Sequence, residues 1–293
     1  MSPAMAAEGL TVQTALREGS TRLRSAGVAS AEREAEWLLS GLLGLKPLDL
    51  YLEDRPVDPA RLSAFYSRIA ARAAGQPLQY VLGEAEFFGE RFTVEPGVFI
   101  PRPETEQVLE AAIGALKPLE AERGRALRLL ELGVGSGAIA VTLARALPTC
   151  VVVGVELSWV ALRIARQNVL RHGLLARVRL VQGQWAEAIA GTFDGLIANP
   201  PYVPSGQVDR LPFDVRQEPR ISLDGGPDGL RDLQTLMRET PRLLAPRGIA
   251  VFECGEEQVE SLLARARAAA WVDSSAPLHD LAARPRGVLM RRA

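Results

Sequence analysis

The segment Arg128–Val141, RLLELGVGSGAIAV, constrains the fold more than any other stretch of the chain. Apolar, strand-like residues run straight into Gly133, Gly135 and Gly137, and a helical pattern rich in Ala and Ile follows without a spacer. Glycines at such a turn admit left-handed backbone and let a ligand approach the N–H groups of the helix start. A strand that becomes a helix in this way is the opening unit of a parallel sheet covered by helices. The downstream texture agrees: the apolar runs CVVVGVE, RVRLVQG, FDGLIANP, RGIAVFECG and GVLMRR are separated by helical segments at SWVALRIARQNVLRHG, around 230–244 and at 256–270. In the first of these helices Val160, Ala161, Ile164 and Ala165 form the expected inner face. The pattern predicts an α/β, doubly wound, mostly parallel sheet.

Before this region the periodicity is helical. Val12, Leu16, Gly19 and Leu23 share one face, as do Ala35, Leu38, Leu39 and Leu42, and then Leu62, Phe65 and Ile69. Pro47, Pro56, Pro59 and Pro77 separate these short amphipathic segments. Strand-like alternation first appears in YVLGEAEFFGERFTVEP, which reads as a hairpin bending at Gly83 and Gly89. The expected organisation is a small helical domain at 1–75, a β-hairpin linker at 76–96 and the α/β domain at 97–293.

Composition narrows the functional classes. Hydrophobic residues make up 47% and charged residues 24%, so the chain is neither disordered nor fibrous. The longest early apolar run, WLLSGLLGL, is too short to cross a bilayer, and MSPAMAAEGL has no basic region ahead of an apolar one, so a soluble cytoplasmic protein with no membrane attachment is expected. A net charge of −1 argues against a chain that coats phosphate backbones, and no direct sequence-specific nucleic-acid binding is expected. Cys150 and Cys254 lie far apart with no nearby ligands, so both are expected to be ordinary buried residues, with no metal site.

The loop Gly133–Gly137, with Val134 and Ser136 between its glycines, is a weak signal alone. Glu156 strengthens it: this acid ends the next strand, where a carboxylate in a doubly wound fold accepts hydrogen bonds from ribose hydroxyls. Together they leave a nicotinamide cofactor or S-adenosylmethionine. The run Asn199, Pro200, Pro201, Tyr202 after the next strand favours the second. An asparagine oxygen and a carbonyl stiffened by proline can each accept one N–H of a planar amine or amide, aiming its nitrogen at a methyl group. Tyr202 would pack along the substrate or cofactor. As plain structure, Asn199 is a turn former, the prolines stop a strand and Tyr202 is a half-buried aromatic. Neither His172 nor His279 is needed as a general base, because alkylation itself acidifies the amide proton.

On these four residues the chain resembles the class I S-adenosylmethionine-dependent amino-methyltransferases. Over EAEFFGERFTVEPGVFIPRPETE, ELGVGSGAIA, NPPY, EPRISLDGGPDGL and FECG it resembles one family among them, the peptide chain release factor glutamine methyltransferases. The resemblance implies a Rossmann-like, seven-stranded sheet and transfer of a methyl group from S-adenosylmethionine to the side-chain amide nitrogen of the Gly-Gly-Gln glutamine of class 1 release factors. It assigns cofactor binding to Gly133, Val134, Gly135, Ser136, Gly137, Glu156, Trp185 and Asn199. It assigns the catalytic and substrate-binding positions to Asn199, Pro200, Pro201 and Tyr202. The family usually has Asp at the ribose position and often Asp before the tryptophan, where this chain has Glu156 and Gln184. In PRPETE, Glu104 and Glu106 suit a helix's first turn, and Phe99 to Arg102 are expected to close over the cofactor's methionine end; Asp228 is a candidate helix cap. The helical domain is expected to dock the protein substrate. Alternatives are a glutamine methyltransferase of a large-subunit ribosomal protein, an adenine amino-methyltransferase of nucleic acid, and a scaffold that has kept only the cofactor fold.

Overall fold

The computed structural model describes residues 10–52 and 54–293, so the N-terminal stretch examined for a targeting signal lies almost wholly outside the described residues. Two compact units emerge, one running to Gly83 and taking in Phe213–Gln217, the other comprising Glu84–Pro212 and Glu218–Ala293. No helix among the described residues is long and apolar enough to cross a membrane.

The first unit is built on three helices, α1 (Val12–Ser25), α2 (Ala31–Leu43) and α3 (Pro59–Ala73), followed by the single turn α4 (Leu78–Leu82). Local signals set their ends: the Thr11 hydroxyl caps α1, Gly44 closes α2 in the left-handed conformation, and Asp58 accepts from the Ala60 and Arg61 amides just ahead of Pro59. Val12, Leu16, Leu23, Leu38, Leu39, Phe65 and Ile69 form its buried core, whereas Leu42 is only half-buried. Gly19 belongs to this stripe for lack of a side chain, since a Cβ there would stand 2.6 Å from the Phe65 ring. The buried Arg72–Glu34 pair at 2.6 Å, with Arg72 also reaching the Gln76 carbonyl and Asp214, ties α2, α3 and the 213–217 segment of the same unit.

The second unit opens with the hairpin β1 (Glu84–Phe87) and β2 (Glu90–Thr93). Here the sequence reading needs correction. Tyr80–Leu82 are helical and Gly83 closes α4 as its left-handed cap, so only Gly89 sits at a hairpin bend, beside Phe88, which also has positive φ. A five-residue turn ending in glycine carries too few apolar positions to distinguish helix from strand by period.

The sheet consists of β3 (Arg128–Leu132), β4 (Val151–Glu156), β5 (Val178–Gln182), β6 (Phe193–Ala198), β7 (Leu244–Glu253), β8 (Val272–His279) and β9 (Pro285–Arg292), in the order β5-β4-β3-β6-β7-β9-β8. The first five are parallel, and β9 runs antiparallel between β7 and β8. Helices α5 (Pro103–Arg123), α6 (Ala138–Ala146), α7 (Trp159–Arg171), α9 (Arg231–Leu243) and α10 (Val259–Ala268) accompany it, with the short α8 (Ser205–Val208) after β6. Two apolar clusters flank the sheet, one with α5 and α6, the other with α9 and α10. The order reverses between β3 and β6, the place where open α/β sheets bind ligands. On α7, Ala161, Ile164 and Ala165 are buried as expected, but Val160 is 39% exposed. Edge strand β8, with Asp273, Ser274, Ser275 and Pro277, has no clear alternation and escapes the sequence reading. Cys150 and Cys254 are free and buried.

Asn168 joins three parts of this unit. Fully buried on α7, it accepts from the Thr93 amide at 2.8 Å and donates to the Thr93 carbonyl at 2.9 Å and the Ser136 carbonyl at 2.8 Å. Asn168→Ala strands two backbone groups of β2 and one of the glycine loop, and the expected cost is about 2–4 kcal/mol in urea denaturation.

Candidate active site

The register of β3 against β6, Leu132 opposite Ala198, delivers Gly133 and Asn199 to the same end of the sheet. The Gly133 and Val134 amides both donate to the Val155 carbonyl of β4, at 2.9 and 3.1 Å. Gly133, Gly135 and Gly137 all have positive φ, which explains their residue type more directly than close packing does. Only Gly137 adds a close approach, since a Cβ would lie 3.2 Å from Ala165 of α7. At the end of β4 the Glu156 carboxylate accepts from the Gly135 amide and the Ser158 amide, both at 2.8 Å, and so is itself oriented by the loops beside it.

A cavity of about 470 Å³ opens at this point, well within the range that holds a small-molecule ligand. It is lined by Gly133, Val134, Gly135, Ser136, Glu156, Trp185, Asn199 and Pro201 from the sequence-derived set, by Phe99 and Pro101 from the segment leading into α5, and by Thr105 in the first turn of α5. Gln184 lies on its wall too. Gly137 caps α6 behind it, and Pro200 and Tyr202 are not among the lining residues. Tyr202 packs its ring on the core cluster of β6 and β7, and its hydroxyl donates to Glu253 Oε1 at 3.4 Å.

The Asn199–Tyr202 segment is held from behind. The Val203 amide donates to the Leu223 carbonyl and the Gly225 amide to the Val203 carbonyl, both at 2.9 Å. Gln258 Nε2 donates to the Tyr202 carbonyl at 2.8 Å. A Cβ on Gly225 would stand 2.6 Å from the Pro201 oxygen, and one on Gly229 2.2 Å from the Tyr202 oxygen, so DGGPDGL is glycine-rich because it lies flat against this backbone. Asp228 accepts from the Leu230 amide within the turn and does not cap α9, whose first residue follows Leu230. Asn199 Nδ2 donates to the Thr105 hydroxyl at 3.2 Å, which leaves its Oδ1 as an acceptor. No donor among the described residues reaches the Pro200 carbonyl.

Several contributors were not legible in the sequence. Glu218, almost fully buried, accepts from the Ile100 amide at 3.0 Å and pairs with Arg102, whose guanidinium lies 4.9 Å from the Phe99 ring centre. This pins Phe99 and Pro101 on the cavity wall. Asp232 of α9 accepts from the Trp185 indole at 3.2 Å and from Arg231 at 2.9 Å, fixing a tryptophan whose φ is +45°. Burial pushes the Glu253 carboxyl up to about 7, against the Thr105 and Tyr202 hydroxyls, which favour its charged form. Burial, reinforced by the charge of Glu156, likewise raises Glu131 well above the usual carboxylate range. An acid followed by a strand-ending glycine was visible at both Glu131 and Glu253, but nothing in the sequence tells which acids are buried.

Comparisons with known proteins identify the family. The family model described as the PrmC N-terminal domain matches residues 14–83, and the one described as the methyltransferase small domain matches residues 92–211. A release factor glutamine methyltransferase from Moorella thermoacetica is 40% identical over 97% of this chain and 99% of its own length. The chain belongs to the release factor glutamine methyltransferase family. Other relatives bearing that name are 35–43% identical. Within similar range, at 35% identity over 90% of both chains, lies a 4-amino-L-phenylalanine/4-methylamino-L-phenylalanine methyltransferase from Streptomyces pristinaespiralis. Among solved structures, the hMettl16 catalytic domain in complex with the MAT2A 3′UTR hairpin 6 superposes with a TM-score of 0.55, covering 77% of this chain and 81% of that one at 15% identity. That likeness concerns the fold: like that domain, this family member has a class I methyltransferase sheet.

Two outcomes are expected. Gly225→Ala forces its methyl group into the Pro201 carbonyl, and a displacement of about 1 Å there lowers methyl transfer about 100-fold while circular dichroism stays native. Glu253 is raised in the folded state, so its ionisation opposes folding: stability is fully present below the unfolded value, where the group is neutral in both states, and is lost as pH climbs through about 7. Glu253→Gln is therefore expected to stabilise the protein by about 3 kcal/mol at pH 8 and by little at pH 4, measured by denaturant unfolding at both.

Proposed function

We propose that this enzyme transfers a methyl group from S-adenosylmethionine to the side-chain amide nitrogen of the glutamine in the Gly-Gly-Gln motif of class 1 peptide chain release factors. The observation that carries this reading is Asn199 on the wall of a cavity shaped by the glycine loop, its Nδ2 engaged by Thr105 and its Oδ1 left to accept. The names and extent of the relatives support it.

The residues present fit the cofactor. The volume suits an adenosyl amino acid, the left-handed glycine loop leaves the cavity free of side chains at Gly133 and Gly135, and Glu156 retains lone pairs for hydroxyl donors beyond its two backbone bonds. Trp185 and Phe99 supply apolar wall. Bound there, S-adenosylmethionine supplies an electrophilic sulfonium methyl.

An amide nitrogen is a weak nucleophile because its lone pair is delocalised into the carbonyl. Asn199 Oδ1 and the Pro200 carbonyl each accept one N–H, which orients the nitrogen and stabilises the positive charge it acquires as the new bond forms. Pro200 and Pro201 fix their own φ angles, and the Gly225 and Gln258 contacts hold the segment still, so this geometry exists before the substrate arrives. The proton made acidic by alkylation then leaves to solvent, and no basic side chain is required. The helical unit, matched by the PrmC N-terminal model, is proposed to dock the protein substrate.

A second reading rests on the Streptomyces relative: an aromatic amine is also a planar nitrogen with two N–H groups and would suit the same acceptors. Purified enzyme with isotopically labelled cofactor is expected to label one glutamine of an intact release factor, located by mass spectrometry, and to leave 4-aminophenylalanine, ribosomal protein and nucleic acid unlabelled. Transfer to any of these in place of the release factor overturns the assignment. Asn199→Ala is expected to reduce kcat about 100- to 1,000-fold with little change in cofactor Kd by calorimetry.

A further inference from the structure

Arg231, the first residue of α9, lines the cavity and bonds to two of its walls at once. One wall is Trp185, whose φ of 45° is a backbone conformation that tryptophan disfavours and that persists only where a contact holds it. Asp232 supplies that contact. Its carboxylate, 11% exposed, accepts the Trp185 indole N–H on Oδ1 at 3.2 Å and Arg231 Nη2 on Oδ2 at 2.9 Å, so each oxygen has its own donor.

The other wall is the Asn199–Tyr202 segment, reached through the loop behind it. Arg231 Nη2 also donates to the Asp224 carbonyl at 2.6 Å, and the Arg231 backbone amide donates to the Gly225 carbonyl at 2.9 Å. Asp224 pairs with Val203 as a short parallel bridge, and a Cβ on Gly225 would stand 2.6 Å from the Pro201 oxygen, so a movement of this loop is passed to the segment. The Asp224 carboxylate is held separately, by the Ser205 hydroxyl at 2.6 Å, the Gly226 amide at 3.0 Å and Arg220 Nε at 3.3 Å.

A guanidinium NH₂ has two hydrogens in fixed directions, and here one goes towards each wall. The helix that carries it is anchored, with Leu233, Leu236 and Leu243 fully buried. A Cβ on Gly133 would lie 3.4 Å from the Trp185 ring and 4.0 Å from the Asn199 carbonyl, so the two walls converge over the glycine loop. We propose that Arg231 is a positioning residue that sets the placement of the acceptor segment relative to the cofactor wall; this rests on the reading of Asn199–Tyr202 as the substrate's acceptor. Its side chain is 54% exposed and already paired with Asp232, so its charge is screened and the directions of its bonds are what the site uses. Without Arg231 each wall keeps its own support: Trp185 retains Asp232, and the segment retains Gln258 and the backbone bonds at Val203. Each ligand therefore still finds its wall, but sulfonium methyl and amide nitrogen no longer meet in line. A misplacement of about 1 Å between reacting atoms costs about 100-fold in rate.

The test uses the full chain and the partly exposed substitution Arg231→Met, which keeps an apolar stem. In methyl transfer to a release factor, Arg231→Met is expected to lower kcat about 10-fold or more, with cofactor Kd by calorimetry and release-factor KM within about threefold of wild type and thermal unfolding native. A second measurement needs neither cofactor nor substrate. In ¹⁵N-labelled protein the Trp185 indole signal, assigned by its loss in Trp185→Phe, is expected to shift on Gly225→Ala, because Arg231 transmits the displaced loop to Asp232. In Arg231→Met the same Gly225→Ala change is expected to leave the indole signal where Arg231→Met alone puts it. Wild-type kcat in Arg231→Met, a loss that appears in cofactor Kd in place of kcat, or an indole shift on Gly225→Ala as large without Arg231 as with it overturns the proposal. If the wild type transfers nothing to a release factor, the substrate assignment fails and the indole comparison alone decides the role of Arg231.

Discussion

The site depends on the pairing of β3 with β6. Because Leu132 stands opposite Ala198, the first residue past each strand, Gly133 and Asn199, falls at the same height, and a Cβ on Gly133 would lie 4.0 Å from the Asn199 carbonyl. One loop shapes a cavity and the other brings Asn199 and Pro201 to its wall. A slip of one residue would turn Leu130 and Leu132 away from their core cluster, so the same apolar burial that stabilises the sheet also fixes the alignment of the two loops. The remaining features, from the Gly225 buttress to the Glu218 clamp, refine a placement that strand register has already made.

Much of this was legible because it is local. Strand-to-helix glycines, an acid at the end of the next strand and a doubled proline after another declare themselves by type and spacing, and the resemblance built on them named the family to which the chain belongs. The fold class followed from alternating apolar runs, six strands being readable directly. The seventh, β8, was not: five of its eight residues are exposed, it carries Asp273 and Pro277, and its place beside β9 is settled by long-range pairing. The Gly83 bend and the Val160 face failed for a related reason, since a single helical turn, or one side of a helix with a solvent-exposed margin, gives periodicity too little to act on.

The parts of the site that escaped notice are those assembled across the sheet. Thr105, Glu218, Asp232 and Glu253 lie on four separate segments and meet their partners across 47 to 116 residues of sequence in the cases of Trp185–Asp232 and Arg102–Glu218. Each is an ordinary polar residue in its own segment. Their significance arises from burial, which makes an unmet hydrogen bond costly and so turns proton positions into structural constraints. Sequence supplies most of the groups that line the cavity, whereas the groups that hold them in place appear only when the chain is folded.

The assignment of Phe213–Gln217 to the helical unit carries a topological consequence. Phe213 rests against Gly75, where a side chain would stand 1.8 Å from its ring, and Asp214 reaches Arg72. The polypeptide therefore passes between the units three times, and the helical unit is not an appendage that begins and ends at one junction. Recombination at a single breakpoint near Gly83 would leave five residues of one lineage inside the fold of another, so the two units are expected to have been inherited together and to have diversified as one piece.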